Sequence, residues 1–271
     1  MPLSDGDFLE WTRYKTPVGS DTITEQNVIE AGDVCLCQLM LYLMVRVTVA
    51  KCIVEVGCAD GSTTLALLKA ASETGGTVIS VDPTPCLVAK ELVERCGYSD
   101  IWKFYEMKSE EFWAEHAPDR VDFTFIDGDH CVAATTIDFT GALKRLPLYG
   151  VIASHDWHVM SEAEVAKHLL SCSPEMQEYE AEHPTAAGSM RGMARALAEY
   201  EHPLQWFQFH PYSLLTNEPN YVRADMPKRF NSEGGFMMMQ RQPDHVHGGF
   251  NHFAYDHMIP LWHRVAEGFG K

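Results

Sequence analysis

The chain has 271 residues, the size of one large α/β domain, and with 46% hydrophobic and 22% charged residues it has the composition of a globular protein. Collagen-like, disordered and coiled-coil readings are excluded. Acidic residues number 38 against 21 basic ones, a formal net charge of −17 that repels phosphate backbones and anionic lipid surfaces, so neither nucleic acid nor a membrane is an expected partner.

The eight cysteines form no CxxC pair and several lie in apolar runs, as expected of reduced core thiols. The N-terminal MPLSDGDFLEW lacks the pattern of a signal peptide. The most apolar stretch, Val34 to Ala50, is broken by Gln38 and Arg46 and falls short of the roughly 20 apolar residues that span a bilayer. A soluble, cytoplasmic protein is the expectation.

In chain order, helical periodicity from Thr24 to Ala50 predicts a helical cap over residues 1–50. Lys51 to Gly57 reads as the first strand, Ser62 to Ser72 as a helix stopped by Gly75-Gly76, and Thr77 to Val81 as the second strand. A helix over Leu87 to Cys96, a strand over Ile101 to Met107 and a short helix over Glu110 to His116 follow. Val121 to Ile126, apolar on both faces, is a strand covered by helices on each side. A helix from Val132 to Leu146 and a strand from Gly150 to Ser154 close the series. This alternation predicts an α/β fold with a Rossmann-like, doubly wound sheet in one domain spanning residues 1–271. Residues 51–160 form its cofactor half and residues 161–271 a C-terminal half.

Ligands of such sheets sit beyond the carboxyl ends of the strands. The first strand runs through Glu55 into Gly57, Cys58, Ala59, Asp60, Gly61, Ser62 and Thr63, where two glycines allow a tight turn and a helix N-terminus faces an anion. The second strand ends in Asp82, placed to accept both hydroxyls of a ribose. Together they describe a nucleoside-containing cofactor. Ala59 stands where a dinucleotide loop needs its second glycine, which argues against a nicotinamide-dependent oxidoreductase.

The pattern Glu-x-Gly-x-x-x-Gly-x-(Ser/Thr), with Asp82, the Ile126-Asp127-Gly128-Asp129-His130 run and Ser154-His155-Asp156-Trp157, resembles the class I S-adenosylmethionine (SAM) methyltransferases over about Lys51 to Trp157. The last two motifs are similar to those of small-molecule O-methyltransferases of the macrolide-sugar and cephalosporin-hydroxylase group. The resemblance implies that Glu55 and Thr63 hold the methionine end of SAM above the Gly57–Gly61 backbone. It also implies that Asp82 binds the ribose and Ser109 lies near the adenine, while Asp127 stands between cofactor and acceptor. His155 and Asp156 fall where metal-dependent members complete a metal site with Asp127, although a histidine departs from the commonest pattern.

Two routes to an activated hydroxyl acceptor follow. A divalent ion such as Mg²⁺ or Mn²⁺ on Asp127, His155 and Asp156 lowers the pKa of a bound hydroxyl. Alternatively, neutral His155 is the general base, with Asp127, Asp129 or Asp156 fixing its tautomer. Asp129 and His130 read as a helix cap and a rim residue. A metal-free N-methyltransferase and a non-catalytic SAM-binding sensor or scaffold are the remaining alternatives.

In the C-terminal half, Ser161 to Ser171 reads as a helix, residues 172–203 as an insertion over the acceptor pocket, and Leu204 to Leu215 with Gly235 to Gln240 as a closing antiparallel hairpin. Met237, Met238 and Met239 are expected in a buried strand. The tail, with Asp244, His245, His247, His252 and His257, is expected to pack on a second copy of the chain in a homo-oligomer or to fray.

Overall fold

A computed structural model describes residues 37–38, 40–157, 184–209, 235–244 and 249–250. The expected helix over residues 161–171, most of the N-terminal cap, the start of the insertion and the histidines of the tail lie outside these. The chain divides into two compact units, Met1–Thr124 and Phe125–Lys271, the division falling within a strand.

The first unit contains a helix over residues 40–48 (α1), followed by β1 (Cys52–Val56), α2 (Ser62–Thr74), β2 (Thr77–Asp82), α3 (Leu87–Arg95), β3 (Trp102–Glu106) and α4 (Ser109–Glu115). β1 pairs parallel with β2, Cys52 opposite Thr77 through Val56 opposite Val81, and β2 pairs parallel with β3. The β-branched Ile53, Val54 and Val78 are fully buried, as a strand between two helical layers requires. α2 ends where expected, because Gly75 takes the left-handed conformation (φ 69°) and returns its N–H to the Ala71 carbonyl. The third strand begins one residue later than expected, after a 3₁₀ turn over Ser99–Ile101.

β4 (Phe123–Ile126) crosses the division and is buried throughout. The second unit continues with α5 (Val132–Leu143), β5 (Val151–Trp157), α6 (Pro184–Leu197), β6 (Leu204–Phe209), β7 (Gly235–Arg241) and β8 (Gly249–Phe250). α5 stops before Leu146, since Arg145 and Leu146 already make i→i−3 bonds and Pro147 cannot continue the helix. β7 pairs antiparallel with both β5 and β6, which is the expected hairpin. The strand order is β3-β2-β1-β4-β5-β7-β6-β8, a doubly wound, mostly parallel sheet with antiparallel C-terminal strands. Met237, Met238 and Met239 are all buried in β7 beside Phe236, whose ring stacks on Phe125 at 5.8 Å.

One expectation needs correction here. The fifth strand does not end at Ser154 but runs to Trp157, with a register shift between these residues, because Gly235 of β7 supplies a pairing partner that no local pattern reveals. His155 and Asp156 are therefore strand residues. The insertion over residues 172–203 contains α6, which packs on α5. A β-carbon at Gly192 would lie 2.5 Å from the Thr135 β-carbon, so the two helices approach at a distance that needs glycine.

Candidate active site

In the first unit, the loop between β1 and α2 is braced by the chain's own polar groups. Gly57, Ala59 and Gly61 all have positive φ (88°, 47° and 84°), an alternation that turns successive N–H groups toward one point. What stands there is Asp82. Its Oδ2 accepts the N–H groups of Cys58 (3.0 Å) and Ala59 (3.1 Å), while Oδ1 accepts the Thr84 N–H (2.8 Å) and hydroxyl (2.6 Å). Burial raises the pKa of this carboxyl, but the four hydrogen bonds outweigh burial and hold it below the ordinary carboxylate value. The residue singled out for ribose binding is thus also the tie that shapes the loop.

Glu55 is fully buried at the end of β1. Its Oε1 accepts the Thr63 hydroxyl at 2.7 Å, and Oε2 accepts those of Thr64 (2.7 Å) and Ser80 (2.6 Å). The Trp102 indole N–H donates in turn to Ser80 Oγ at 2.9 Å, so the network reaches β3. A buried carboxylate is tolerated because hydroxyl donors surround it. Asp60 Oδ1 accepts the N–H (3.1 Å) and hydroxyl (2.5 Å) of Ser62, fixing the first turn of α2. Cys58 lies against Thr64 at 3.3 Å, and burial beside Glu55 pushes its thiol far above the usual range, which rules it out as a nucleophile. Ser109 opens α4, two residues beyond Met107, whose N–H donates to the Asp82 carbonyl.

Gly61 meets α3 rather than open space. A β-carbon there would lie 2.7 Å from the Ala89 β-carbon and 2.8 Å from its α-carbon, and φ is already +84°. Gly61→Ala is expected to destabilise the fold by about 2–4 kcal/mol, combining left-handed strain with overpacking, as read by urea unfolding. A neutral result would mean that α3 can move away. Gly57, at φ 88°, carries the same backbone strain on substitution, so Gly57→Val does not isolate ligand approach from folding.

In the second unit, Asp127 follows β4 directly and His155 lies near the end of β5. His155 Nδ1 stands 3.6 Å from Asp127 Oδ1, and His130 Nε2 stands 3.7 Å from the same oxygen. The three side chains keep 20–30% of their exposure, so solvent and a ligand can reach them. Asp129 Oδ1 accepts the Cys131 N–H at 2.9 Å, and it is Cys131, not Asp129, that caps α5. The Asp156 side chain lies outside the described residues. Among the described residues no three His, Cys, Asp or Glu side chains are arranged so as to hold a metal ion.

Sequence reasoning set His130 aside as a rim residue and did not single out Ser189, whose Oγ lies 3.1 Å from His130 Nδ1. The DGDH run carried the signal for His130, since an i, i+3 spacing can return an imidazole to the aspartate. Nothing local could have supplied Ser189, which arrives on α6.

Residues 54–157 match the family model described as "Methyltransferase domain". That stretch is similar to methyltransferase domains, and the doubly wound sheet is of the kind such domains have. Among solved structures the chain is similar to the O-methyltransferase from Bacillus cereus in complex with S-adenosylhomocysteine, at 20% identity and a TM-score of 0.53, over 89% of this chain and 92% of that one. It is also similar to the O-methyltransferase TomG from Streptomyces achromogenes, involved in tomaymycin synthesis and bound to SAM, at 13% identity and a TM-score of 0.54, over 90% and 92%. A search of curated proteins finds no match to the chain. Among the described residues, no helix is long and apolar enough to cross a membrane.

Proposed function

We propose that the chain transfers a methyl group from SAM to a hydroxyl of a small molecule, with His155 as general base and Asp127 as the group that orients it. The observation that carries this reading is the 3.6 Å approach of His155 Nδ1 to Asp127 Oδ1. A carboxylate only accepts, so it draws the imidazole proton to Nδ1 and leaves Nε2 as the nitrogen that takes the acceptor's proton. When bound, SAM supplies an electrophilic methyl on its sulfonium. The chain's part is to hold the acceptor on the methyl axis, where positioning supplies much of the rate, and to receive the proton. The small-molecule class is also supported by the net charge of −17, which disfavours polyanions.

The residues assigned to the cofactor lie largely in the first unit. Thr63 would hold its methionine end with the buried Glu55 behind it, the backbone of Gly57, Cys58, Ala59, Asp60, Gly61 and Ser62 would lie beneath it, and Asp82 and Ser109 would contact ribose and adenine. For a ribose hydroxyl to bond Asp82 it would take over a lone pair now used by Thr84.

A second reading has support from donor chemistry alone: carboxylate and imidazole suit Mg²⁺ or Mn²⁺, with Asp127, His155 and Asp156 as the ligand set. Such an ion would lower the pKa of a coordinated hydroxyl. Titration calorimetry of the full chain tests the cofactor assignment. SAM and S-adenosylhomocysteine are expected to bind one site with the same affinity in the presence and absence of Mg²⁺, and NAD to give no heat. Binding of NAD without SAM would overturn the assignment.

A further inference from the structure

A side chain on β3 is tied to the start of α2 by hydrogen bonds whose directions are fixed. Trp102, the first residue of β3, donates its indole N–H to Ser80 Oγ at 2.9 Å. Ser80 is fully buried on β2, in register with Glu55 of β1, and its Oγ lies 2.6 Å from Glu55 Oε2. An indole N–H only donates and a carboxylate only accepts, so the hydroxyl between them accepts from Trp102 and gives its own hydrogen to Glu55. At the other carboxylate oxygen, Thr63 gives its hydrogen to Oε1 at 2.7 Å. Trp102, Ser80, Glu55 and Thr63 thus form one directed chain. A serine side chain has three staggered positions open to it, and the Trp102 bond selects the one that reaches Glu55.

We infer that Trp102 is a positioning residue for the methionine end of SAM: through Ser80 it holds the Glu55 carboxylate turned so that Oε1 receives Thr63, the side chain assigned to that end of the cofactor. The Trp102 ring has a separate role, packing with Phe104 against Cys58, Cys86 and Ala89. Trp102→Phe separates the two roles, since it removes the N–H and keeps an aromatic ring. Without that donor, Ser80 Oγ is a buried group free to turn toward another partner, and Glu55 Oε2 loses a bond that Thr64 alone does not replace. The nucleoside end is held independently, because the partners of Asp82 are Cys58, Ala59 and Thr84, none of them in this chain of bonds. This inference rests on the reading of the β1–α2 loop as a SAM site.

The test is titration calorimetry of the full chain with S-adenosylhomocysteine and with 5′-methylthioadenosine, which shares the nucleoside and lacks the amino-acid end. Trp102→Phe and Ser80→Ala are each expected to weaken S-adenosylhomocysteine by about 3–10-fold, the worth of one neutral hydrogen bond, and to leave methylthioadenosine unchanged. A residue that merely supports the fold would weaken both ligands alike. The double variant should bind S-adenosylhomocysteine no more weakly than either single one, because the two side chains act along one path. Ser80→Ala carries the test by itself if the phenyl ring fails to pack. Equal losses for the two ligands, or losses that multiply in the double variant, overturn the inference. An unaltered chain that binds no S-adenosylhomocysteine overturns the SAM reading and this inference with it, whereas variants that bind it as tightly as the unaltered chain overturn the inference alone.

Discussion

Replacing His155 with alanine is expected to slow methyl transfer by roughly 10²–10⁴-fold, the usual contribution of a positioned general base, while leaving SAM affinity unchanged. The separation follows from where the groups reside. His155 is in β5 beside Asp127, whereas the residues assigned to the cofactor follow or end β1, β2 and β3. The measurement is release of S-adenosylhomocysteine with an acceptor first trapped from cell extract by labelled SAM. EDTA should have no effect under the general-base reading. Under the metal reading EDTA abolishes turnover and Mg²⁺ or Mn²⁺ restores it. Indifference to both EDTA and His155→Ala sinks the two mechanisms together. What would remain is proximity, sufficient for an acceptor already nucleophilic, such as an amine or thiol.

Asp82→Ala is expected to remove about 3 kcal/mol of stability, since hydrogen bonds to a charged group are each worth roughly 1.5–3 kcal/mol and the freed donors recover part of this from water. The same change should weaken SAM binding, because the N–H groups of Cys58 and Ala59 lose the anion that aligns them. The pH dependence has a definite sign. The folded pKa of Asp82 lies below its unfolded value of ~3.9, so its contribution is complete above the unfolded value and disappears as pH falls through the lower, folded one. Urea unfolding of the alanine protein should therefore show a flatter acid limb than the unaltered chain. An equally steep limb, with unchanged stability at neutral pH, would mean that the four contacts contribute nothing net.

Much of this architecture was legible in the sequence for reasons that are local. KCIVEV is rich in β-branched residues and is followed by glycine, Gly75-Gly76 stops a helix, and FTFI is apolar on both faces. Asp82, Asp127 and His155 were singled out because strand ends in such sheets are where ligands bind, a rule that needs only the position of each strand. What stayed hidden depends on partners remote in the chain. The length of β5 is decided by Gly235, the second half of the Asp127 group by Ser189, and the surroundings of Glu55 by Ser80 and Trp102. The double role of Asp82 was hidden for a related reason. Its position at a strand end was readable, but its hydrogen bonds depend on the left-handed conformation of Ala59, a residue type that gives no warning of it.

The self-bracing of the β1–α2 loop bears on how tightly a ligand can be held there. Loops that become ordered only around their ligand lose conformational entropy at that moment, and affinity falls by the corresponding amount. Here Asp82, Glu55 and Asp60 fix the backbone from Gly57 to Ser62 through bonds within the chain, so the ordering cost is incurred when the protein folds and not again on association. The loop is preorganised. A ligand that fits it keeps nearly all of its contact energy as affinity, and one that requires a different loop shape must first break a network that is part of the protein's own stability.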